Sequence, residues 1–413
     1  MQKRLTVPIN HSVQTIIQMV SVLYLMIWSV APPLQIGLVF RLLALGLAFV
    51  WFAVEFLRRF EFTRIQIWCA LFMAAVAVIT YIQSGASAVL GQISTYMMVL
   101  AYFINIYSAD SWRNYRVVVP ITLALLILFN YRTVTMLLQN PAIARLLVRD
   151  TEELYDYMRQ GVGGYGLVYQ QVLIAPVVYA WTLKSFEHNK LFFVLGLAWT
   201  VSFWALIANA GYSIAVIVAV ISAVVLIVYR RQSILPAFII AVLLIAGIVF
   251  LLVYVESFRN IVLRFFEGTK VVIKIQDLVS TAEGEMADSF TSRIVRYWAS
   301  IEACLQFPII GDLLFGGSSG GHSFVLDTFA RFGVWGGIPS IIMIFYSPRY
   351  FKNKSSSTLI HVTANAHILA IALVALFDSF PYQLFFPILI LCPIMYFDLM
   401  SWKGEKYDNS LDG

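Results

Sequence analysis

The residues best suited to chemistry lie between Arg293 and Gly337, where two arginines, a glycine-serine loop and a histidine follow one another. His322 comes directly after the loop Gly316–Gly321 and before an apolar run, so we expect it at the N-terminus of a helix. A helix N-terminus favours the neutral imidazole, which can accept a proton, and its free backbone N–H groups attract phosphate. His322 is therefore a candidate general base. The alternative is a histidine at a membrane interface that bonds a loop carbonyl.

Arg293 and Arg296 are the candidate phosphate ligands. Residues three apart on a helix lie within about 60° of each other around its axis, and guanidinium groups match the geometry of phosphate oxygens. The opposite face carries Ile294, Trp298 and Leu305, which predicts an amphipathic helix lying on a membrane surface. The alternative is that both arginines contact lipid headgroups.

Two further arginines are candidate substrate ligands. Arg159 precedes a glycine-rich turn at the entrance to an apolar run, and Arg41 lies within another such run. An arginine inside a membrane is a functional candidate, although snorkelling or pairing with a carboxylate is the alternative for Arg41. Asp327 and Arg331 are four residues apart, which predicts a salt bridge on one helix face.

The remaining polar residues give weaker signals. Asp378 is expected either to cap a helix or to contact a sugar. The sequence has neither metal-ligand spacing nor a nucleotide-binding loop, so we expect no metal and no cofactor.

Composition places the chain in a membrane. Of its 413 residues 61% are hydrophobic and only 12% are charged, and the mean hydropathy is +0.83. Soluble domains have roughly 25% charged residues. Continuous apolar runs near twenty residues predict an all-α polytopic membrane protein. The basic residues are scattered between these runs, which argues against a nucleic-acid partner.

Twelve spans are predicted in a single transmembrane bundle over residues 1–413. They lie at about 13–31, 34–57, 65–83, 91–107, 116–130, 165–183, 191–207, 211–229, 234–255, 322–346, 359–377 and 382–400. Sixteen of the 28 Lys and Arg residues fall in short loops and tails on one side, and the short loops of the other side have none. This bias predicts that both termini are cytoplasmic. Two long connections, 131–164 and 256–321 with its amphipathic helix, are then external.

The stretch Ser292–Gly336 resembles the C-terminal signature of Wzy-type O-antigen and capsular polysaccharide polymerases, which are relatives of the O-antigen ligases. The matching residues are Ser292-Arg293, Tyr297-Trp298, Phe307-Pro308-Ile309-Ile310-Gly311, Gly320-Gly321-His322-Ser323, Asp327, Arg331-Phe332-Gly333 and Gly336. The close match covers about 45 residues, and the many-span layout extends it loosely over the chain.

The resemblance implies a GT-C-like, metal-independent glycosyltransferase at the external face of the bacterial plasma (inner) membrane. Such enzymes transfer a growing glycan from undecaprenyl pyrophosphate to a lipid-linked oligosaccharide repeat unit. By position, His322 is the base on the acceptor hydroxyl, Arg293 holds the donor pyrophosphate with help from Arg296, and Arg159 resembles the arginine of the first long loop. A chain-length regulator and a flippase are the partner proteins expected.

Two other functions are alternatives to a polymerase. Ligase relatives place a Ser-Arg-Gly element at the start of a middle span, where this chain has Asn209–Ser213 without arginine, which favours a polymerase. The same departure leaves open whether Arg159, Arg296 or Arg41 completes the phosphate site. A lipid-linked saccharide transporter is the other alternative, but the sequence shows no paired halves of the kind common in transporters.

Overall fold

A computed structural model describes residues 11–59, 64–91, 115–140, 143, 152–228, 234–265, 267, 272, 275–276, 279–280, 288–312, 320–379 and 386–402. Across these residues the regular secondary structure is entirely helical. Both chain termini, residues 92–107 of the predicted fourth span and residues 316–319 of the glycine-serine loop lie outside the described residues.

The helices of the described residues are α1 (His11–Val30), α2 (Pro32–Ile36), α3 (Leu38–Arg59), α4 (Arg64–Gly91), α5 (Val118–Gln139), α6 (Glu152–Arg159), α7 (Tyr165–His188), α8 (Lys190–Ala210), α9 (Ser213–Val228), α10 (Ile234–Tyr254), α11 (Glu256–Phe265), α12 (Asp288–Gln306), α13 (Phe324–Lys354), α14 (Thr358–Phe377), a π-helical turn (Pro387–Leu391) and α15 (Cys392–Ser401). Within the predicted connection 131–164, α5 continues to Gln139 and α6 follows it. The connection 256–321 contains α11 and α12.

Six helices of the described part are long and apolar enough to cross a membrane. A seventh candidate is the pair 246–254 and 256–264, which is bent by 100°. Shorter apolar stretches occur at 15–30, 38–54, 213–227 and 387–401. The chain therefore has the helices of a polytopic membrane protein, with six to seven candidate spans. The number twelve stays a prediction.

Helix α7 is the centre of the bundle. Of its most apolar window 89% is buried, and it packs against α8, α9, α14 and α15. A methyl group on Gly196 of α8 would lie 2.1 Å from Oγ1 of Thr182, so the glycine allows the two backbones to approach closely. The side chains of Asn130 and Gln171 exchange amide hydrogen bonds of 2.9 and 2.7 Å. These bonds satisfy polar groups that would be costly to bury alone.

Helix α13 is broken at Gly333, and the chain after α12 fills the break. Gly333 has φ 58° and ψ −159°. The backbone N–H of Val334 donates to the carbonyl of Pro308 at 2.8 Å, and the N–H of Asp312 donates to the carbonyl of Ala330 at 2.8 Å. A break within a membrane helix needs such partners because lipid offers none. The segment 307–312 and the break at Gly333 thus form a backbone clasp between α12 and α13.

Both glycines of the backbone clasp are required by geometry. Gly311 has φ +76° and Gly333 has φ +58°, a conformation that other residues rarely adopt. A Cβ atom at Gly311 would lie 2.2 Å from the carbonyl oxygen of Arg331, and one at Gly333 would lie 2.2 Å from that of Ile309. These contacts explain the two glycines in the sequence patterns Pro-Ile-Ile-Gly and Arg-Phe-Gly.

We expect Gly333→Ala to destabilise the protein by more than about 1 kcal/mol, because alanine is strained at positive φ and its methyl group meets backbone. Thermal unfolding of the purified protein in detergent measures the effect. Gly46→Ala is the control, since a Cβ there meets nothing within 4 Å on helix α3. Equal unfolding temperatures for the two variants would contradict the clasp.

Candidate functional site

The candidate residues meet where several helix ends converge. These ends are the N-terminus of α7, the turn between α8 and α9, the N-terminus of α13 and the C-terminus of α14, with α12 alongside. The Tyr165 hydroxyl donates to the carbonyl of Ser379 at 2.6 Å, and the Ser379 hydroxyl donates to that of Gly321 at 2.9 Å. The N–H of Phe324 donates to the carbonyl of Asp378 at 2.9 Å. These bonds connect the backbone on both sides of His322 to the residues after α14, and Ser379 in turn to α7.

Asp327 fixes the backbone on both sides of His322. Its carboxylate is buried and accepts hydrogen bonds from the Gly321 N–H at 3.1 Å, the Ser323 N–H at 3.0 Å and the Ser300 hydroxyl at 2.7 Å. Ser323 caps α13, because its hydroxyl accepts from the Leu326 N–H at 3.2 Å. The segment that presents His322 is therefore held by side chains at the start of α13.

The predicted Asp327–Arg331 salt bridge is wrong. Donors from Ser300, Gly321 and Ser323 occupy the carboxylate of Asp327. The Arg331 guanidinium lies instead over the ring of Phe332, 5.6 Å from its centre. The spacing of four residues allows a contact on one helix, but donors from another helix and from the loop compete for the carboxylate.

Helix α12 places the arginines beside His322. Ser300 is buried on the side that packs against α13, and its hydroxyl accepts from the Gly320 N–H at 2.9 Å. A Cβ atom on Gly320 would lie only 1.9 Å from the carbonyl oxygen of Arg296. Gly320, two residues before His322, thus lies directly on the backbone of the arginine helix.

The opposite side of α12 is apolar and uncovered. Ile294, Trp298 and Leu305 expose 52%, 65% and 75% of their surface. Apolar residues on an exposed helix face, with arginines nearer the protein, are the pattern of a helix that lies at a lipid surface.

Arg293 and Arg296 have no carboxylate partner within the described part of the chain. Among the described residues neither forms an ion pair; the pairs found there are Arg116–Asp398, Arg159–Asp156 and Lys184–Glu187. The charge of Arg293 also acts on Tyr297, whose hydroxyl donates to the carbonyl of Phe377 at 2.9 Å. Burial raises the pKa of that hydroxyl and Arg293 partly offsets the rise. The two guanidinium groups are therefore placed to bind an anion.

The surroundings of His322 favour its neutral imidazole. Partial burial lowers the pKa of its imidazole, and the positive charges of Arg296 and Arg293 lower it further. The carboxylates of Asp378 and Asp327 oppose these effects without reversing them. A neutral ring can take a proton from a hydroxyl group.

Asp378 joins an aromatic cluster next to His322. It lies at the end of α14, where its carboxylate accepts from the Tyr169 hydroxyl at 2.5 Å and from the Ser379 N–H at 3.0 Å. The ring of Tyr169 lies 4.3 Å from that of Tyr165 and 5.9 Å from that of Tyr212. Sequence reasoning missed Tyr169, Tyr212 and Ser300. The spacing of four between Tyr165 and Tyr169 at the start of an apolar run was the available signal for this pair.

Arg159 and Arg41 bond within their own segments. Arg159 makes an exposed ion pair of 2.9 Å with Asp156 on α6, a kind of contact that contributes little stability. The Nε atom of Arg41 donates to the carbonyl of Gln35 at 2.7 Å, and α2, which contains Gln35, packs against α6. The structure thus brings Arg293 and Arg296 to His322, while the contacts of Arg41 and Arg159 lie around α2 and α6.

The described part of the chain offers no group of three or more His, Cys, Asp or Glu side chains arranged to hold a metal ion. The groups around His322 are cations, hydroxyls and two hydrogen-bonded carboxylates. This set suits an anionic substrate with hydroxyl groups.

Comparison of the chain with protein-family models and with curated proteins finds no match. Any assignment of function therefore rests on the geometry of this site and on the resemblance of residues 292–336 noted above.

Proposed function

We propose that the protein is a membrane glycosyltransferase that polymerises lipid-linked saccharides for O-antigen, capsule or exopolysaccharide. The observation that carries the proposal is the pairing of a histidine, whose pKa is lowered, with two arginines that lack a carboxylate partner among the described residues, at one end of a bundle of apolar helices. An amphiphile with a phosphate head and a sugar matches each of these features.

The chemistry assigns one role to each group. His322 takes the proton from a hydroxyl of the acceptor sugar, and the oxygen attacks the anomeric carbon of the donor glycan. The bond between this carbon and the pyrophosphate oxygen breaks, and the electron pair leaves with undecaprenyl pyrophosphate. Arg293 and Arg296 stabilise the charge that develops on this leaving group. The proton on His322 then returns to solvent or to the released phosphate.

The position of the site supports a lipid-borne substrate. The polar side of α12 borders His322, and its exposed Ile294, Trp298 and Leu305 face outward. A carrier lipid with its tail in the bilayer can then present its pyrophosphate to the arginines without leaving the membrane. We place the site on the external face of a bacterial plasma membrane, in a GT-C-like bundle of twelve spans with cytoplasmic termini.

We expect His322→Ala to reduce polymer formation by about 10²- to 10⁴-fold, the usual contribution of a general base. The measurement is glycan length by gel electrophoresis in a deletion strain that carries each variant at equal membrane level. The wild type should give a ladder, and His322→Ala only single repeat units. His188→Ala is the matched control, because His188 is exposed and bonds Lys184 and Trp402 rather than any residue around His322.

Each other outcome of this experiment points to a different function. Long glycans left unattached in the deletion strain would identify a ligase. A normal ladder in the deletion strain would exclude the polymerase, and it would also exclude a transporter that supplies the repeat units. A ladder with His322→Ala as long as that of the wild type would show that the histidine is structural.

We expect Arg293→Ala and Arg296→Ala each to lower turnover by about 10- to 150-fold. The reason is that a hydrogen bond to a charged group contributes about 1.5–3 kcal/mol. Arg159→Ala serves as the comparison, since Arg159 bonds within α6. Turnover by the purified enzyme, with lipid-linked repeat units extracted from the deletion strain, measures the three variants. A larger loss of turnover for Arg159→Ala than for Arg296→Ala would identify Arg159 on α6 as the second phosphate ligand.

The pH dependence of turnover should report the charge around His322. A base must be neutral, so activity falls as the pH drops below its pKa, and this acid limb should lie below the ordinary histidine value. Arg296→Gln removes a charge that lowers this pKa, so the limb should move to higher pH. Arg331→Gln is the control. It removes one positive charge from α13 that is not among those acting on His322, so it should leave the acid limb in place. An acid limb that Arg296→Gln does not move would contradict the role of His322 as base.

A further inference from the structure

One buried carboxylate connects the two elements that carry the reacting groups. Asp327 exposes 8% of its surface. It binds Ser300 on α12 through one oxygen, and it binds the Gly321 and Ser323 amides on either side of His322. The Ser300 hydroxyl makes a second contact between the two elements, because it accepts from the Gly320 amide.

We propose that Asp327 is a positioning residue, whose carboxylate sets the spacing between the phosphate-binding helix α12 and the segment that presents the base. The inference rests on the proposed function and deepens it, because it names the group that fixes His322 relative to Arg293 and Arg296.

The hydrogen-bond inventory explains why this residue is an aspartate. A buried carboxylate is stable only if its oxygens have donors, and hydrogen bonds to a charged acceptor are strong. The Ser300 hydroxyl of α12 and the Gly321 amide share one carboxylate oxygen, and the Ser323 amide just before α13 binds the other. Moving Ser323 would therefore leave one oxygen without this donor, and moving Ser300 or Gly321 would weaken the binding of the other. An asparagine would direct an N–H group toward the Ser323 N–H. The negative charge of Asp327 in the first turn of α13 also interacts favourably with the helix dipole.

Ser300 extends this connection to the arginine helix. Its hydroxyl donates to Asp327 at 2.7 Å and accepts from Gly320 at 2.9 Å. Gly320 in turn lies against the carbonyl of Arg296, where even a methyl group would not fit. The histidine segment therefore contacts α12 at two points, one through a side-chain hydroxyl and one through backbone.

The charge of Asp327 provides a readout at His322 that needs no substrate. Four charged groups act on His322: Arg293 and Arg296 from α12, Asp327 from α13 and Asp378 from the end of α14. Burial and the arginines lower the pKa of the imidazole, and the two carboxylates raise it. Asp327→Asn should thus lower this pKa, which is the opposite direction from Arg296→Gln.

The experiment uses the full-length protein in lipid nanodiscs with three readouts. Diethyl pyrocarbonate reacts with neutral imidazole, so the pH dependence of its reaction with His322, followed by mass spectrometry, reports the pKa of that residue without any substrate. Hydrogen exchange of peptides that cover residues 320–323 reports the amides held by Asp327 and Ser300. Turnover is measured with lipid-linked single repeat units extracted from the deletion strain.

We expect three results from Asp327→Asn, Ser300→Ala and the double variant. Asp327→Asn moves the reaction midpoint of His322 to lower pH, while Ser300→Ala, which keeps the charge, moves it less. Both variants speed amide exchange over 320–323 and lower turnover about 10-fold or more. The double variant is within about 2-fold of the slower single variant, because contacting residues of one network are not additive. Glu302→Gln, an exposed charge loss on α12, should change none of the three.

Unchanged exchange and an unchanged His322 midpoint in Asp327→Asn would overturn the inference, as would multiplicative losses in the double variant. A separate result decides the proposed function. If His322→Ala turns over the extracted lipid as fast as the wild type, the polymerase assignment is lost, whereas the exchange and modification readouts still decide whether Asp327 holds the segment.

Discussion

The hydrogen bonds of the Asp327 carboxylate are the constraint on which the geometry of the site depends. A charge buried at the end of a helix bundle must be surrounded by donors, and here the donors belong to α12 and to the backbone around His322. Satisfying one carboxylate therefore also holds residues 321–323, where Ser323 caps α13, and keeps Gly320 against the backbone of Arg296. The position of the histidine relative to the arginines follows from this requirement.

The backbone clasp at Gly333 solves a second problem at the same junction. A helix broken inside a bundle exposes carbonyl and amide groups that lipid cannot satisfy. The segment 307–312 supplies the missing partners through Pro308 and Asp312. One end of the connection between α12 and α13 is thus fixed by backbone and the other by a carboxylate, with the glycine-serine loop between them.

The sequence predicted the helices well and the contacts between them poorly. Apolar runs and the spacing of Arg293 and Arg296 are local patterns, so they indicated membrane helices and a polar face of α12 from the residues alone. Asp327 shows why local rules fail elsewhere. A spacing of four favoured Arg331 as its partner, but Ser300, 27 residues earlier, is brought to it by tertiary packing. The glycines at 311 and 333 stood out in the sequence pattern, yet only the fold shows that they meet across one break. Among 21 tyrosines, Tyr169 was marked only by its spacing of four from Tyr165, and Tyr212 gave no signal.

The two ends of the bundle treat arginine differently, and the contrast bears on function. At the end away from His322, Arg116 lies 2.9 Å from the fully buried Asp398 and over the rings of Phe192 and Trp402. The charge of that guanidinium is paired with a buried carboxylate, and two aromatic rings pack against it. Arg293 and Arg296 lack such carboxylate partners in the described structure, although Asp327 and Asp378 are near enough to act on the same histidine. Those two carboxylates are instead committed to hydroxyl and amide donors. At this end, neutral donors satisfy the carboxylates, and the two guanidinium groups have no carboxylate among the described residues. This arrangement favours a site that receives an anion over one that serves stability alone.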